Sequence, residues 1–380
     1  MSFNFLSNLG GLLGYLIPFL FVLTIVVFFH ELGHFLVARW CGVKVLTFSI
    51  GFGPELFGFN DRHGTRWKIS AIPLGGYVKF FGDENAASVP DQAALADMTE
   101  AERQQSFVHQ KVGPKAAIVV AGPIANFILA IVIFAGVFAL FGRQVIPARV
   151  DAVQPDSAAA AAGLQPGDLV VALDGRPIES FSDMQRIVAV NAGRTLTLTI
   201  DRGGVRQDVK VVPTLRGFCS GVLGISKSFA PNDIRIQKEP PGAAIVMGAE
   251  ETYFVIERSL CFLAGVVIGR ESADQLGGPA RIAQVSGQAW KSGLDSGGPG
   301  GAIASLLYFA GLLSASIGLL NLFPIPLLDG GHLLFYLIEA VRGKPLSERA
   351  QEVGFRIGLA IVVMLMIFAT YNDILHWTAS

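Results

Sequence analysis

LGYLIPFLFVLTIVVFFHELGHFLVARWCG, residues 13–42, decides how the rest of the chain is read. Its run Leu13–Val37 is long enough to cross a bilayer as a helix, for which ~17–25 apolar residues suffice. Yet it carries His30, Glu31 and His34. Hydrocarbon cannot solvate ionisable groups, so such residues inside a span mark function. The three form H-E-x-x-H. On a helix the two histidines lie one turn apart on one face and can share a zinc ion. Glu31 projects beside them, where it can take a proton from an attacking water.

The composition agrees with a membrane protein. Of 380 residues, 52% are hydrophobic and only 16% charged, against roughly 25% charged in a soluble domain. Mean hydropathy is +0.52. A net charge of −1 offers no basic field for nucleic acid. Cys41, Cys219 and Cys261 are far apart and form no C-x-x-C pair, so neither a disulfide framework nor a thiolate zinc site is expected. The N-terminal stretch has no Lys or Arg, and no small-residue cleavage site follows its apolar run. It is therefore read as a retained span.

Three further spans are expected: Ala116–Phe141, about Ala302–Leu328, and Ile357–Tyr371, the last only just long enough. Ala243–Ile268 is interrupted by Glu250, Glu251, Glu257 and Arg258. Its apolar residues Val246, Ala249, Tyr253, Ile256, Leu260, Leu263 and Val267 recur by threes and fours. That spacing predicts an amphipathic helix, lying on a membrane surface, on a partner, or packed within the extramembrane domain. The loop Arg39–Lys115 carries nine basic residues and Val341–Arg356 carries four, while the terminal tails carry none. The positive-inside bias puts both loops in the cytoplasm and Gly142–Gly301 outside.

The outer segment reads as β-rich. Leu196, Leu198 and Ile200 alternate on one face, the chain turns at Gly203-Gly204, and it returns through Val209 and Val211. By contrast Asp83–Glu102 is polar and Ala-rich, and is expected to be a mobile loop.

A catalytic zinc usually has three protein ligands and an open position. Asp329, at the cytoplasmic end of the third span, matches the depth of His30 and His34; His332, beyond the Gly330-Gly331 break, is the competing ligand. Pro324 and Pro326 each remove a backbone donor in the same region. Freed carbonyls at membrane depth survive where they line a cavity. Asn321–Asp329 is therefore read as an unwound, site-lining segment, with a plain proline kink as the simpler alternative.

H-E-x-x-H in the first span, AGPIAN at 121–126 and N-x-x-P-x-P-x-L-D-G-G at 321–331 together resemble the site-2 protease family of intramembrane zinc metalloproteases. The closest subgroup is the bacterial regulator-of-sigma-E (RseP-like) type, and the likeness covers nearly the whole chain. It implies that His30, His34 and Asp329 hold zinc, that Glu31 is the catalytic base, and that Asn321, Pro324 and Pro326 engage substrate. The segment SAAAAAGLQPGDLVVALDG is similar to PDZ domains of bacterial periplasmic proteases. That likeness implies a peptide-binding loop at Gly221, Val222, Leu223, Gly224 and Ile225, although a strand entered through a glycine turn reads as well. The best-known members carry two tandem PDZ domains, and this chain has room for one. FSIGFGPELFGF and TRWKISAIPLGGYVKF resemble the family's membrane-associated β-hairpin, whose edge could pair with an unwound substrate or merely cover the mouth of the site.

The expected fold is thus a polytopic α-helical membrane protein of about four transmembrane helices, with an inserted PDZ domain and a membrane-associated hairpin. Its segments are 1–38 (first span), 39–115 (cytoplasmic loop with hairpin), 116–141 (second span), 142–235 (periplasmic PDZ), 236–301 (amphipathic helix and linker), 302–330 (third span), 331–356 (cytoplasmic connection) and 357–372 (fourth span). The resemblance implies a zinc metalloendopeptidase of the bacterial inner membrane. Its substrates would be single-pass membrane proteins such as anti-sigma factors or remnant signal peptides, with membrane lipids around it. Two other readings remain. A membrane-anchored PDZ scaffold with structural zinc would need a fourth ligand, and a zinc transporter would need polar residues continuing across the membrane, where the second and fourth spans offer almost none beyond Asn126.

Overall fold

Helix α1 (Ser2–Trp40) is one uninterrupted element with Pro18 inside it. It stops where Gly42 takes a left-handed φ of 78°. Val43 N–H then reaches back to Ala38 O at 2.9 Å and Gly42 N–H to Arg39 O at 3.1 Å, which satisfies the last carbonyls. This computed structural model describes residues 2–83, 97–227 and 235–379. Most of the expected mobile loop 83–102, namely 84–96, lies outside the described residues, and its far end enters a short helix, Glu100–Gln105. The chain divides into two units, residues 1–134 with 274–380, and residues 135–273.

In the first unit, α1 leads into an antiparallel pair, β1 (Val45–Asn60) and β2 (Arg66–Phe80), which runs from Val45 opposite Phe80 to Asn60 opposite Arg66 with register shifts between. The end of the pair nearest α1 is buried: Val45, Phe48, Val78 and Phe80 pack with Phe35 and Ala38 of α1 and with Ile118 and Val119. The far end leaves Leu56 71% and Phe57 65% exposed. Helix α2 (Val112–Leu140) follows, with Pro123 inside it.

Four helices among the described residues are long and apolar enough to cross a membrane: Leu13–Trp40, Val112–Leu140, Pro279–Asn321 and Arg349–Leu375. Three expectations change. The third span belongs to a longer helix, α5, that starts at Pro279, so the stretch read as linker up to 301 is mostly helical. Gly297 and Gly298 break it with non-helical angles (φ −144° and 60°), and Pro299 restarts it. The same helix ends at Asn321, short of the expected 328–330. The connection expected at 331–356 is two helices, α6 (Asp329–Arg342) and the start of α7 (Glu348–Ala379). The fourth span is accordingly well over the minimum length, because Arg349 and Arg356 sit on a helix that continues through them. Small residues carry the packing here: Ala310, Ser314 and Ala315 of α5 are fully buried. Lipid is as apolar as leucine, so spans associate where small residues let backbones approach.

The second unit contains a four-stranded antiparallel sheet in the order Arg176–Pro177, β3 (Leu169–Leu173), β4 (Leu196–Arg202), β5 (Val205–Val211). The hairpin turn falls at Gly203 and Gly204, both at positive φ, as the alternation requires. Leu198 and Ile200 point into the core with Leu173, Val170 and Val211. A fully buried side chain of this kind contributes about 1.5–3 kcal/mol. Helix α3 (Phe181–Ala189), capped by Ser180 and Asp183, covers this core with Phe181, Met184 and Val188. The short strand β6 (Ser220–Val222) runs beside α3.

Helix α4 (Pro241–Ile268) is present where the spacing predicts it. Of the three placements left open for it, packing of the apolar stripe within the unit is the one not seen. Ala244, Gly248, Glu251 and Thr252 are buried, whereas the apolar positions Val246, Tyr253, Leu260 and Val267 are 58%, 66%, 45% and 86% exposed. Polar links explain the rotation. Arg186 pairs with Glu251, Arg258 donates to Ser220 Oγ, and Cys219 is disulfide-bonded to Cys261. The disulfide corrects the expectation of none: 42 residues separate the two cysteines, and only folding brings their Cα atoms to 6.0 Å.

Candidate metal centre

Three segments of the first unit build the site. From α1, His30 and His34 stand one turn apart, with His34 Nε2 3.2 Å from His30 Nε2. Asp329 arrives on the first residue of α6, with Oδ2 3.2 Å from His30 Nε2 and Oδ1 3.6 Å from His34 Nε2. The ligand atoms of the three residues lie within 4.8 Å of one another. Asn321–Asp329 was read as unwound, and residues 322–328 do run non-helically between the end of α5 and Asp329, which opens α6. Gly330 and Gly331 allow this: a Cβ on Gly330 would lie 2.3 Å from both Leu322 O and Phe323 O, and one on Gly331 2.4 Å from Ile325 O.

The loop before Asp329 is shaped by its prolines. Leu327 has a φ of 112°, a strained value for a side-chain-bearing residue, and sits beside Pro326. Pro326 O rests against α7 at Gly358, where a Cβ would come within 1.5 Å of it. Pro324 is exposed. Asn321, the last residue of α5, places Nδ2 3.5 Å from His30 Nε2. His332 is not among the convergent ligands; its ring packs near those of Phe355 (5.5 Å) and Tyr336 (6.5 Å). Glu31 lies under β2, where a Cβ on Gly76 would sit 3.1 Å from Glu31 Cγ.

The site has a back wall that the spacing of H-E-x-x-H could not announce. His34 Nδ1 is 2.8 Å from Ile118 O. In the neutral ring Nδ1–H must therefore donate to that carbonyl, which leaves the Nε2 lone pair facing Asp329. A Cβ on Gly122 would lie 2.3 Å from His34 Nε2, so only glycine fits there. Asn126 stands with its amide 3.2 Å from His30 Nδ1. Residues 118, 122 and 126 form one stripe of α2, and AGPIAN at 121–126 was the signal for it. Asp329 Oδ2 is buried with no hydrogen-bond donor in good geometry. Two imidazole nitrogens and a carboxylate thus converge. That donor set fits a divalent cation of zinc type.

The profile of peptidase family M50 matches residues 18–365. The chain belongs to this family. Among similar proteins, candidate zinc metalloproteases of Agrobacterium fabrum and Rhizobium meliloti are 48% and 49% identical, each over 96% of this chain and 97% of the relative. The metalloprotease MmpA of Caulobacter vibrioides is 39% identical over 96% of both. Within this M50 chain, the match takes in α1 from Pro18, both sides of the metal centre, and most of α7.

In the second unit, Gly221, Val222, Leu223, Gly224 and Ile225 line a cavity of about 650 Å³. Its walls are α3 and strand β6, and α4 adds Phe254 and Arg258. At Gly221 the strand meets α3 closely, since a Cβ there would lie 2.2 Å from Val188 O.

Proposed function

We propose that this M50 peptidase hydrolyses peptide bonds of single-pass membrane proteins, within or at the edge of the bilayer, with His30, His34 and Asp329 holding zinc and Glu31 as base. The observation that carries the reading is the convergence of two imidazole nitrogens, on a helix apolar enough to cross a membrane, with the Asp329 carboxylate, all within 4.8 Å. Zinc in such a site supplies a Lewis acid and lowers the pKa of water toward ~7. Glu31 takes the proton of the attacking water and passes it to the leaving amine. Asn321 and the Pro324–Pro326 loop align the substrate chain, which fits the place of Asn321 beside His30. The β1–β2 pair carries exposed apolar residues at its far end, consistent with contact to lipid, and its edge suits an unwound substrate strand. An intact helix hides its amides, so edge pairing compensates a substrate backbone that has opened.

The second unit is read as a single PDZ domain whose groove, at Gly221–Ile225, receives a peptide and recruits or filters substrates. Its place outside the cytoplasm agrees with the basic loops on the other side of the spans. It also agrees with the Cys219–Cys261 disulfide, since such bonds persist in oxidising compartments. Together with the bacterial relatives this supports the inner membrane as its location, with anti-sigma factors or remnant signal peptides as the substrate class.

The test uses the full chain in detergent with a helical membrane segment as substrate. Glu31→Gln should keep one zinc per chain and stop cleavage, and chelator should stop the wild type. Cleavage by the Glu31→Gln chain would remove Glu31 from its role.

A further inference from the structure

We infer that Asn126 is a positioning residue of the metal centre: it holds the His30 ring so that Nε2, and not Nδ1, faces the ion. This rests on the metal-binding reading above. Asn126 is fully buried in α2. Its amide lies 3.2 Å from His30 Nδ1, while its Oδ1 is buried with no partner. The two ends of a carboxamide exchange by rotation about Cβ–Cγ. With the oxygen turned toward His30, Nδ1–H donates to it, and the amide nitrogen takes the place the oxygen held. The Nε2 lone pair is then fixed toward Asp329 and His34. Ile118 O does the same for His34 from one end of the stripe on α2. Each imidazole so has its own oxygen acceptor on α2, one from the backbone and one from Asn126. A ring whose remote nitrogen is held this way is the better ligand, in both orientation and basicity.

The simpler account is that Asn126 only packs α2 against α5. That contact is carried by other atoms. Ser314 Oγ donates to the Asn126 backbone carbonyl at 2.8 Å, and a Cβ on Gly318 would meet Asn126 Cβ at 3.1 Å. The amide itself points to His30.

Three variants of the full chain in detergent separate the accounts. Asn126→Leu keeps the size and removes the acceptor; Asn126→Asp keeps an acceptor; Ser314→Ala removes the packing hydrogen bond. Zinc affinity is read by competition with a chromogenic chelator, and the site's geometry by the absorption spectrum of the cobalt(II)-loaded chain. Asn126→Leu should bind zinc about 10–100-fold more weakly with an altered cobalt spectrum. Asn126→Asp should restore binding to within a few-fold, and Ser314→Ala should lower thermal stability without changing affinity. Unchanged affinity in Asn126→Leu, or equal loss in Asn126→Asp, overturns the inference. Wild-type chain with His30 labelled by 15N gives the same answer without substitution: Nδ1 should carry a proton when zinc is bound, and a bare Nδ1 overturns it. Wild-type chain that binds no zinc would instead sink the metalloprotease reading itself.

Discussion

Asp61 shows how one carboxylate organises the turn between β1 and β2. Its Oδ1 accepts from the backbone N–H of His63 (2.9 Å) and Thr65 (3.0 Å), and Oδ2 from Trp67 Nε1 (3.1 Å) and from Arg39 at the end of α1. Burial pushes its pKa up, but these hydrogen bonds outweigh it and hold the carboxyl down at about 2. A carboxylate depressed below its unfolded value of ~3.9 adds stability that is complete above that pH. The contribution disappears as pH falls from ~3.9 through about 2. Asp61→Ala should therefore lower stability at neutral pH by about 2 kcal/mol. Thermal melts of variant and wild type should converge as pH drops through that window. A gap that stays constant down to the lowest pH would show that Asp61 acts by shape and not by charge.

At the scale of the element, α4 was recognisable as a helix from its threes and fours, but not which face it buries. Hydrophobic periodicity assumes that the apolar stripe seeks the core. Here the anchors are an ion pair, a hydroxyl and a disulfide, and they turn the Gly248–Thr252 side inward. The exposed stripe therefore belongs to surroundings other than the unit's own core. The disulfide closes a loop of 42 residues, and losing it should cost unit stability of roughly 4 kcal/mol. Cys219→Ser with Cys261→Ser should lower the melting temperature of the purified chain, and a reducing agent should do the same to wild type. No response to reductant would mean that the bond is absent in solution. The glycine-proline break in α5 is a second case: Gly297-Gly298-Pro299 marks punctuation, yet the chain is helical on both sides of it. Punctuation residues report a local break and not the length of what lies beyond.

For the whole molecule, the four spans and the bias of basic residues toward two loops lead to a concrete topology. A single cysteine introduced at the Gly64 turn, in a chain lacking Cys41, should be protected from a membrane-impermeant thiol reagent in intact cells and react only after permeabilisation. One introduced at Gly204 should react at once. Reaction of both from the same side would overturn the orientation and the outer placement of the second unit.

What the sequence determined by itself was set by short-range chemistry. Charge-free runs longer than ~17 residues must be helical in lipid, because no water is there to satisfy the backbone. Histidines at i and i+4 must share a face, so His30, Glu31 and His34 were legible on sight, and paired prolines before Asp329 had to interrupt a helix. The tertiary structure alone decided the rest. Whether Asp329 or His332 meets the histidines depends on where the loop 322–328 delivers α6, and Gly330, Gly331 and Gly358 control that by letting backbones touch. The stripe of Ile118, Gly122 and Asn126 lies more than eighty residues from His34, and a backbone carbonyl has no letter in a sequence. The disulfide and the buried face of α4 are likewise contacts between distant segments, fixed only when the chain has folded around them.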